Sequence, residues 1–248
     1  ARAPADAPAT FLLDEFLELR TFESFPGLRS VLRDLITSLA ANGNRFVLTS
    51  RYTARALRVL RDAPHQFEII HVAPLGAAEI RATLTAGSEV DRAATGLSEA
   101  EDDRARDELA RLVQALSEGR PAYARMLVDT ATAMATRGAA DPVSALAALL
   151  TPGGALALHC QYCYELRLHR ARGYGALKAI LEVLAEEEPL TLTEISLRLR
   201  RTPGSTKDYL SWLEDVDLIN SHQKRYSFAD PMMRLWVRLH CRPAPPSD

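Results

Sequence analysis

Asp14 and Glu15 stand directly after a short apolar run, residues 9–13, and Thr49, Ser50 and Arg51 close a second run that begins at Phe46. Runs of this length and type read as buried strands. In a parallel α/β sheet, ligands sit beyond the carboxyl ends of the strands, so the two polar clusters would face one place. An aspartate there can hold magnesium directly or through water, and the neighbouring glutamate can orient or deprotonate a water that attacks a terminal phosphate. Thr49 or Ser50 can hydrogen-bond that water or a phosphate oxygen, and Arg51 can grip a γ-phosphate with two N–H groups at once. The acidic pair also fits a plainer role, the start of a helix, whose dipole favours negative charge.

The elements that would position these groups follow from periodicity. Leu28, Val31, Leu32, Leu35, Ile36 and Leu39 recur at helical spacing between the two runs, and Asn42-Gly43-Asn44 closes that helix as a C-terminal cap. A second helix, residues 54–61, leads to a third apolar run at 67–72, read as another strand. Strand, helix, strand, helix, strand with short links implies a parallel sheet. After Pro74 the pattern is helical only, over residues 77–86, 99–116, 121–136, 142–150 and 159–170, with a polar linker at 86–98. From Gly173 a third module begins: a helix at 176–185, a short helix capped by Thr193, a helix at 205–216, and strands at 218–220 and 225–228 joined by a polar turn at 222–224. That order is a winged helix-turn-helix. The expected domains are thus 1–74, 75–172 and 173–242, with a tail at 243–248.

The 248 residues are 47% hydrophobic and 25% charged with a net charge of -2, which excludes a disordered or fibrous chain. Three cysteines cannot build a disulfide framework in a chain this long, so a reducing, cytoplasmic setting is expected. The longest apolar stretch, residues 143–159, is broken by Thr151-Pro152-Gly153-Gly154 and falls short of the roughly 20 residues that span a bilayer, so no membrane partner is expected. The start, Ala1-Arg2-Ala3-Pro4, has no basic region followed by an apolar run and no initiating methionine, which reads as a fragment without a signal peptide.

Taken in order, the motifs resemble one family. FLLDEF followed by FVLTSRY resembles the Walker B and sensor 1 strands of the STAND and archaeal-type ATPases within the AAA+ group of P-loop NTPases. HVAPLGAAEI is similar to the segment that enters the helical lid, GRPAYARML to the GxP element of that lid, and YLSWLEDVDLI with YSFADPMMRLW to the winged helix that follows it. The resemblance implies a partial, parallel α/β P-loop sheet followed by an all-α lid and a winged helix-turn-helix domain. It implies ATP and Mg2+ as ligands, with Asp14 as the magnesium-associated acid, Glu15 as the catalytic base, Thr49, Ser50 and Arg51 as the sensor 1 element, and Pro121 as a lid residue near the nucleotide base. The implied function is an ATP-binding ATPase acting as a nucleotide-dependent switch.

One departure from the family matters most. A P-loop needs glycines that let backbone amides approach phosphates, followed by Lys and Ser or Thr, and none of the twelve glycines begins a GxxxxGK sequence. The expectation is that an upstream portion is missing and that the fragment alone binds ATP poorly or not at all. Arg51, Arg55, Arg58 and Arg61 lie near one helical face, a solvated face in one reading; in the other, the family resemblance makes Arg58 or Arg61 a trans-acting arginine finger and implies a homo-oligomer. His159, Cys160, Cys163 and His169 have a zinc-like composition, but CxxC inside an apolar helix reads as buried thiols, and magnesium is the one metal expected.

For the closing module the alternative function is a DNA-binding regulator whose ATPase core is accessory or degenerate. Its third helix is acidic, with Lys207 outnumbered by Asp208, Glu214, Asp215 and Asp217; Arg200, Arg201, Lys224 and Arg225 lie outside that helix and are the candidate DNA or partner contacts. An intramolecular or protein-contacting wing is favoured over one that binds DNA. A scaffold that no longer turns ATP over is a third.

Overall fold

The computed structural model describes residues 8–50, 52–61, 67–86, 99–135, 141–169 and 171–241. Both expected N-terminal strands form: β1, Thr10–Leu13, pairs in parallel with β2, Arg45–Leu48, in the register Thr10 to Arg45 through Leu13 to Leu48. The crossover between them carries a 3-10 helix, Phe16–Ser24, and helix α1, Val31–Ala40. Phe16, Leu17, Leu32 and Ile36 bury together, with Leu48, Val59, Leu60 and Phe67 packed against them. Leu32 and Ile36 are one helical turn apart, which is how α1 presents a single apolar face to this core. The chain does not end α1 with a left-handed glycine at Gly43. The helix stops at Ala40, and Asn42 turns the chain by accepting from the Asn44 N–H at 3.0 Å. Helix α2, Thr53–Leu60, follows β2.

The third apolar run is not a strand. Residues 67–76 have no regular structure, and Ile70 and Val72 are 79% and 90% exposed. A strand exists only when its backbone is paired, and among the described residues this sheet consists of β1 and β2 alone. Phe67 still reaches the core, so the run's apolar character is used in part for packing.

Helices α3, Ala77–Ala86, α4, Glu99–Ser117, α5, Pro121–Ala135, α6, Pro142–Leu150, and α7, Ala155–Leu168, then succeed one another. The expected linker at 86–98 falls, beyond Ala86, outside the described residues. Arg81 pairs with Asp103 at 3.1 Å and Asp107 at 2.7 Å, tying α3 to α4. Asp141 caps α6 by accepting from the Val143 and Ser144 N–H groups, with Pro142 at the first helical position. Helix α7 begins four residues before the expected His159, because Gly154 follows the turn and the helix starts at once behind it. No single helix among the described residues is long and apolar enough to cross a membrane.

The closing segment runs α8, Tyr174–Glu186, β3, Leu190–Thr191, α9, Leu192–Arg198, α10, Pro203–Asp215, β4, Ile219–His222, β5, Arg225–Phe228, and α11, Pro231–His240. The short strand β3 escapes sequence reading. It pairs antiparallel with β5, giving the order β3-β5-β4. The β4–β5 hairpin closes on Gln223 and Lys224, both at positive φ, the two-residue turn whose twist matches the strands. Leu177, Ile180, Leu181 and Leu184 bury at helical spacing against this small sheet and its helices. The cap of α9 is Thr191 and not Thr193: Glu194 sits three residues on and accepts from the Thr191 N–H at 2.6 Å, while its own N–H donates to Thr191 Oγ1 at 3.3 Å.

By contact the chain divides into two units, Ala1–Ile70 with Gly173–Asp230, and His71–Arg172 with Pro231–Asp248. The breaks fall near the expected boundaries at 74 and 172. The grouping differs in two respects: the expected first and third modules cluster as one unit, and α11, expected with the third, belongs with the helices of the second unit, where Trp236 lies 5.2 Å from the Tyr164 ring and His240 Nε2 donates to Leu150 O at 2.8 Å.

The Thr191 N–H and hydroxyl hold the Glu194 carboxyl below the usual glutamate range. A lowered pKa means the charged form is favoured in the folded state, so this stabilisation is present above the unfolded value, about pH 4.3, and is lost as the pH falls through the folded value. Glu194→Gln is therefore expected to flatten the acid limb of a thermal-unfolding series measured from pH 6 to pH 3, and an unchanged acid limb would refute the linkage.

Candidate functional site

Because β1 and β2 run parallel and in register, Leu13 and Leu48 end side by side and the residues after them meet at one edge. Thr49 makes that edge a single object. Its N–H donates to Leu13 O at 3.0 Å, its carbonyl accepts from the Phe16 N–H at 3.2 Å, its hydroxyl accepts from the Glu15 N–H at 3.3 Å, and the same hydroxyl donates to Asp14 Oδ1. Asp14 is therefore fixed from the neighbouring strand and does not cap the helix that follows it. Glu15 also makes no side-chain cap, and its backbone sits in the left-handed region at φ 50. That conformation costs a non-glycine residue about 1–2 kcal/mol, which the hydrogen bonds flanking Glu15 offset.

Ser50 Oγ accepts from the Tyr52 N–H at 3.0 Å, a local turn that leads from the strand end into α2. Arg51 lies outside the described residues. The structure thus brings Asp14, Glu15, Thr49 and Ser50 together at two adjacent strand ends. The side chains available there, two carboxylates and two hydroxyls, carry only oxygen donors, the type that suits magnesium and not a thiophilic metal.

The remaining candidates are placed elsewhere. Pro121 opens α5 in the second unit, behind Gly119 at φ 69, whose carbonyl accepts from the Leu75 N–H at 2.7 Å. A Cβ on Gly119 would stand 2.2 Å from Leu75 O. Arg58 pairs with Asp215 at 2.5 Å, and Arg61 is exposed just past the end of α2. Burial raises the pKa of Glu214 beside this pair, opposed by Arg58 and reinforced by Asp215. Arg200 and Arg201 are exposed after α9, with the Arg201 guanidinium 5.8 Å from the Tyr209 ring centre. Lys224 sits in the hairpin turn, and Arg225 donates to Pro189 O at 3.1 Å with Glu194 at 3.8 Å. Cys160 is buried, and Cys163 Sγ lies 3.6 Å from His159 Nε2 one turn earlier on α7. No group of three or more metal-ligating side chains is found among the described residues.

Sequence reading missed the partner of α2. The residue before that helix is Tyr52, which has no oxygen suited to capping. Asp217 takes the role from the closing segment, accepting from the Thr53 N–H at 2.5 Å and the Ala54 N–H at 3.2 Å. The available signal was a helix start with an aromatic residue where a cap belongs.

Two substitutions check these local geometries. Glu15→Gly is expected to be more stable than Glu15→Ala by about 1 kcal/mol in urea unfolding, the reverse of their order in an ordinary helix or strand. Gly119→Ala is expected to cost on the order of 2 kcal/mol or more, since both its φ and the Leu75 carbonyl oppose a Cβ. Near-equal stabilities in either comparison would contradict the backbone described.

No protein-family model matches the chain, and no curated protein matches it. Among solved structures, a Walker-type ATPase of Pyrococcus abyssi superposes on 93% of the chain with a TM-score of 0.59 at 17% sequence identity. The superposition takes in 63% of that structure, so the chain spans less than two thirds of the protein it matches. The likeness shows a P-loop ATPase-like fold, here with a helix-rich architecture and a two-stranded parallel sheet.

Proposed function

We propose that the chain is the Walker B and sensor 1 part of an ATP-binding ATPase of the STAND or archaeal AAA+ kind, with a helical lid and a winged helix-turn-helix, and that it works as a nucleotide-dependent switch. The observation that carries this reading is the Thr49 hydroxyl, which joins Asp14 to the Glu15 backbone across two parallel strand ends. A site for an attacking water and a bound cation needs a carboxylate of fixed position beside a second carboxylate, and the bridge supports this by fixing Asp14 next to the anchored backbone of Glu15.

In this reading Asp14 and the Thr49 hydroxyl hold magnesium, directly or through water. Bound magnesium would neutralise charge on the phosphates. Glu15 orients the attacking water and accepts its proton, and Thr49, Ser50 and Arg51 sense the terminal phosphate. The phosphate-binding loop is assigned to sequence outside these 248 residues. Support comes from the exposed Leu12 and Val47 on the two strands and from the unpaired run at 67–72, which together offer apolar surface and backbone to further strands. Two features of the closing segment weigh against the DNA-binding reading: α10 carries more acid than base, and Arg225 is engaged with Pro189 O and Glu194.

In the protein carrying its phosphate-binding loop, Glu15→Gln is expected to retain Mg·ATP binding while steady-state phosphate release falls at least about 100-fold. Hydrolysis at the unsubstituted rate would sink the assignment of Glu15.

A further inference from the structure

Helix α2 follows the sensor strand, and two carboxylates of the closing segment of the same unit contact it. Its first two amides, Thr53 and Ala54, donate to the two oxygens of Asp217, and Arg58, one turn further on, pairs with Asp215, whose side chain is only 18% exposed. The two aspartates come from the end of α10 and the turn just after it, and Asp217 is held at φ 51. A carboxylate at a helix N-terminus is favoured by the dipole as well as by the hydrogen bonds, so this cap also fixes where the helix starts. The start of α2 is tied in turn to the strand end through Ser50, which accepts from the Tyr52 N–H.

We propose that Asp217 and Asp215 form a two-point latch that transmits the nucleotide state of the sensor strand to the winged module and keeps the exposed Arg58 ion-paired while the latch is closed. This rests on the ATPase reading above and names its regulatory contact. A displacement of Thr49 and Ser50 shifts the first turn of α2. The cap tolerates little such shift, because both Asp217 oxygens are committed to consecutive amides. Losing the cap moves Arg58 off Asp215, so the latch opens as a unit, and the opened state releases the Arg58 guanidinium from its carboxylate and exposes Asp215 at the end of α10. A purely structural contact would stabilise the fold equally in every nucleotide state; a latch must differ between states.

The test uses hydrogen exchange on Asp215→Asn/Asp217→Asn, which keeps shape and, at position 217, a residue type that accepts positive φ. In the 248-residue chain, amides of Thr53 and Ala54 should exchange about 10-fold faster in the double variant, while the amides of α4 and α5 in the other unit keep their rates. Unchanged α2 amides, or equal acceleration everywhere, would overturn the latch. In the protein carrying its phosphate-binding loop, exchanging Mg·ATP for Mg·ADP should change the Thr53 and Ala54 rates at least threefold, and the double variant should bind both nucleotides yet lose that difference. Nucleotide binding without any response at Thr53 and Ala54 would overturn the latch and leave the ATPase reading standing. Failure to bind either nucleotide would overturn the ATPase reading, and nucleotide control of the latch with it.

Discussion

Two strands of four residues cannot hold a set of side chains in place by burial, and Leu12, at 77% exposure, adds nothing to the core. What aligns the site is hydrogen bonding at one residue. Thr49 contacts each of the four residues from Leu13 to Phe16, through its amide, its carbonyl and both roles of its hydroxyl. Threonine suits this position because its branched Cβ restricts χ1, so a hydroxyl that must accept and donate at once is held near one orientation. Glu15 keeps its left-handed backbone under the same constraint, since its own N–H donates to the Thr49 hydroxyl and the next N–H, that of Phe16, to the Thr49 carbonyl. The crossover core of Phe16, Leu17, Leu32 and Ile36 then fixes the height of that edge above α1.

Acidic residues at the end of α10 are used within the chain. Asp215 and Asp217 face inward onto α2, where they complete a helix that cannot complete itself, and Glu214 beside them is held toward its neutral form by burial. Negative charge that would repel a phosphate backbone is thereby consumed in an intramolecular contact. Exposed cations lie at the hairpin tip and in the turn after α9, and Lys207 adds one on α10 itself.

Local signals in the sequence were sufficient where an element is stabilised by its own neighbours. Helix α6 has its ends where they were expected, because Asp141 and Pro142 mark its start and Thr151-Pro152 its stop. The runs that became β1 and β2 were legible, as was the convergence of Asp14, Glu15, Thr49 and Ser50, which follows once the two strands are parallel. The run at 67–72 carries the same apolar signal and is not a strand, since pairing is a property of the neighbour and not of the segment. The α9 cap was misplaced by two residues because Thr193 and Thr191 look alike until Glu194 is counted from each. The Asp217 cap was beyond reach of local reading, as Ala54 and Asp217 are 163 positions apart.

The assignment of α11 to the helical unit has a consequence for how the protein is made. Each unit is assembled from two separated stretches of chain, with residues 71–172 lying between the halves of one and 173–230 between the halves of the other. On a ribosome neither unit can be completed as the first half emerges; the sheet-bearing part waits for Asp217 and Asp230, and the helical part waits for Trp236 and His240. Closure across residues 71–172 in one unit and 173–230 in the other must precede the contacts that reward it, which raises contact order and slows folding. The waiting halves expose apolar surface during that interval, a vulnerable stage of the kind that chaperones attend.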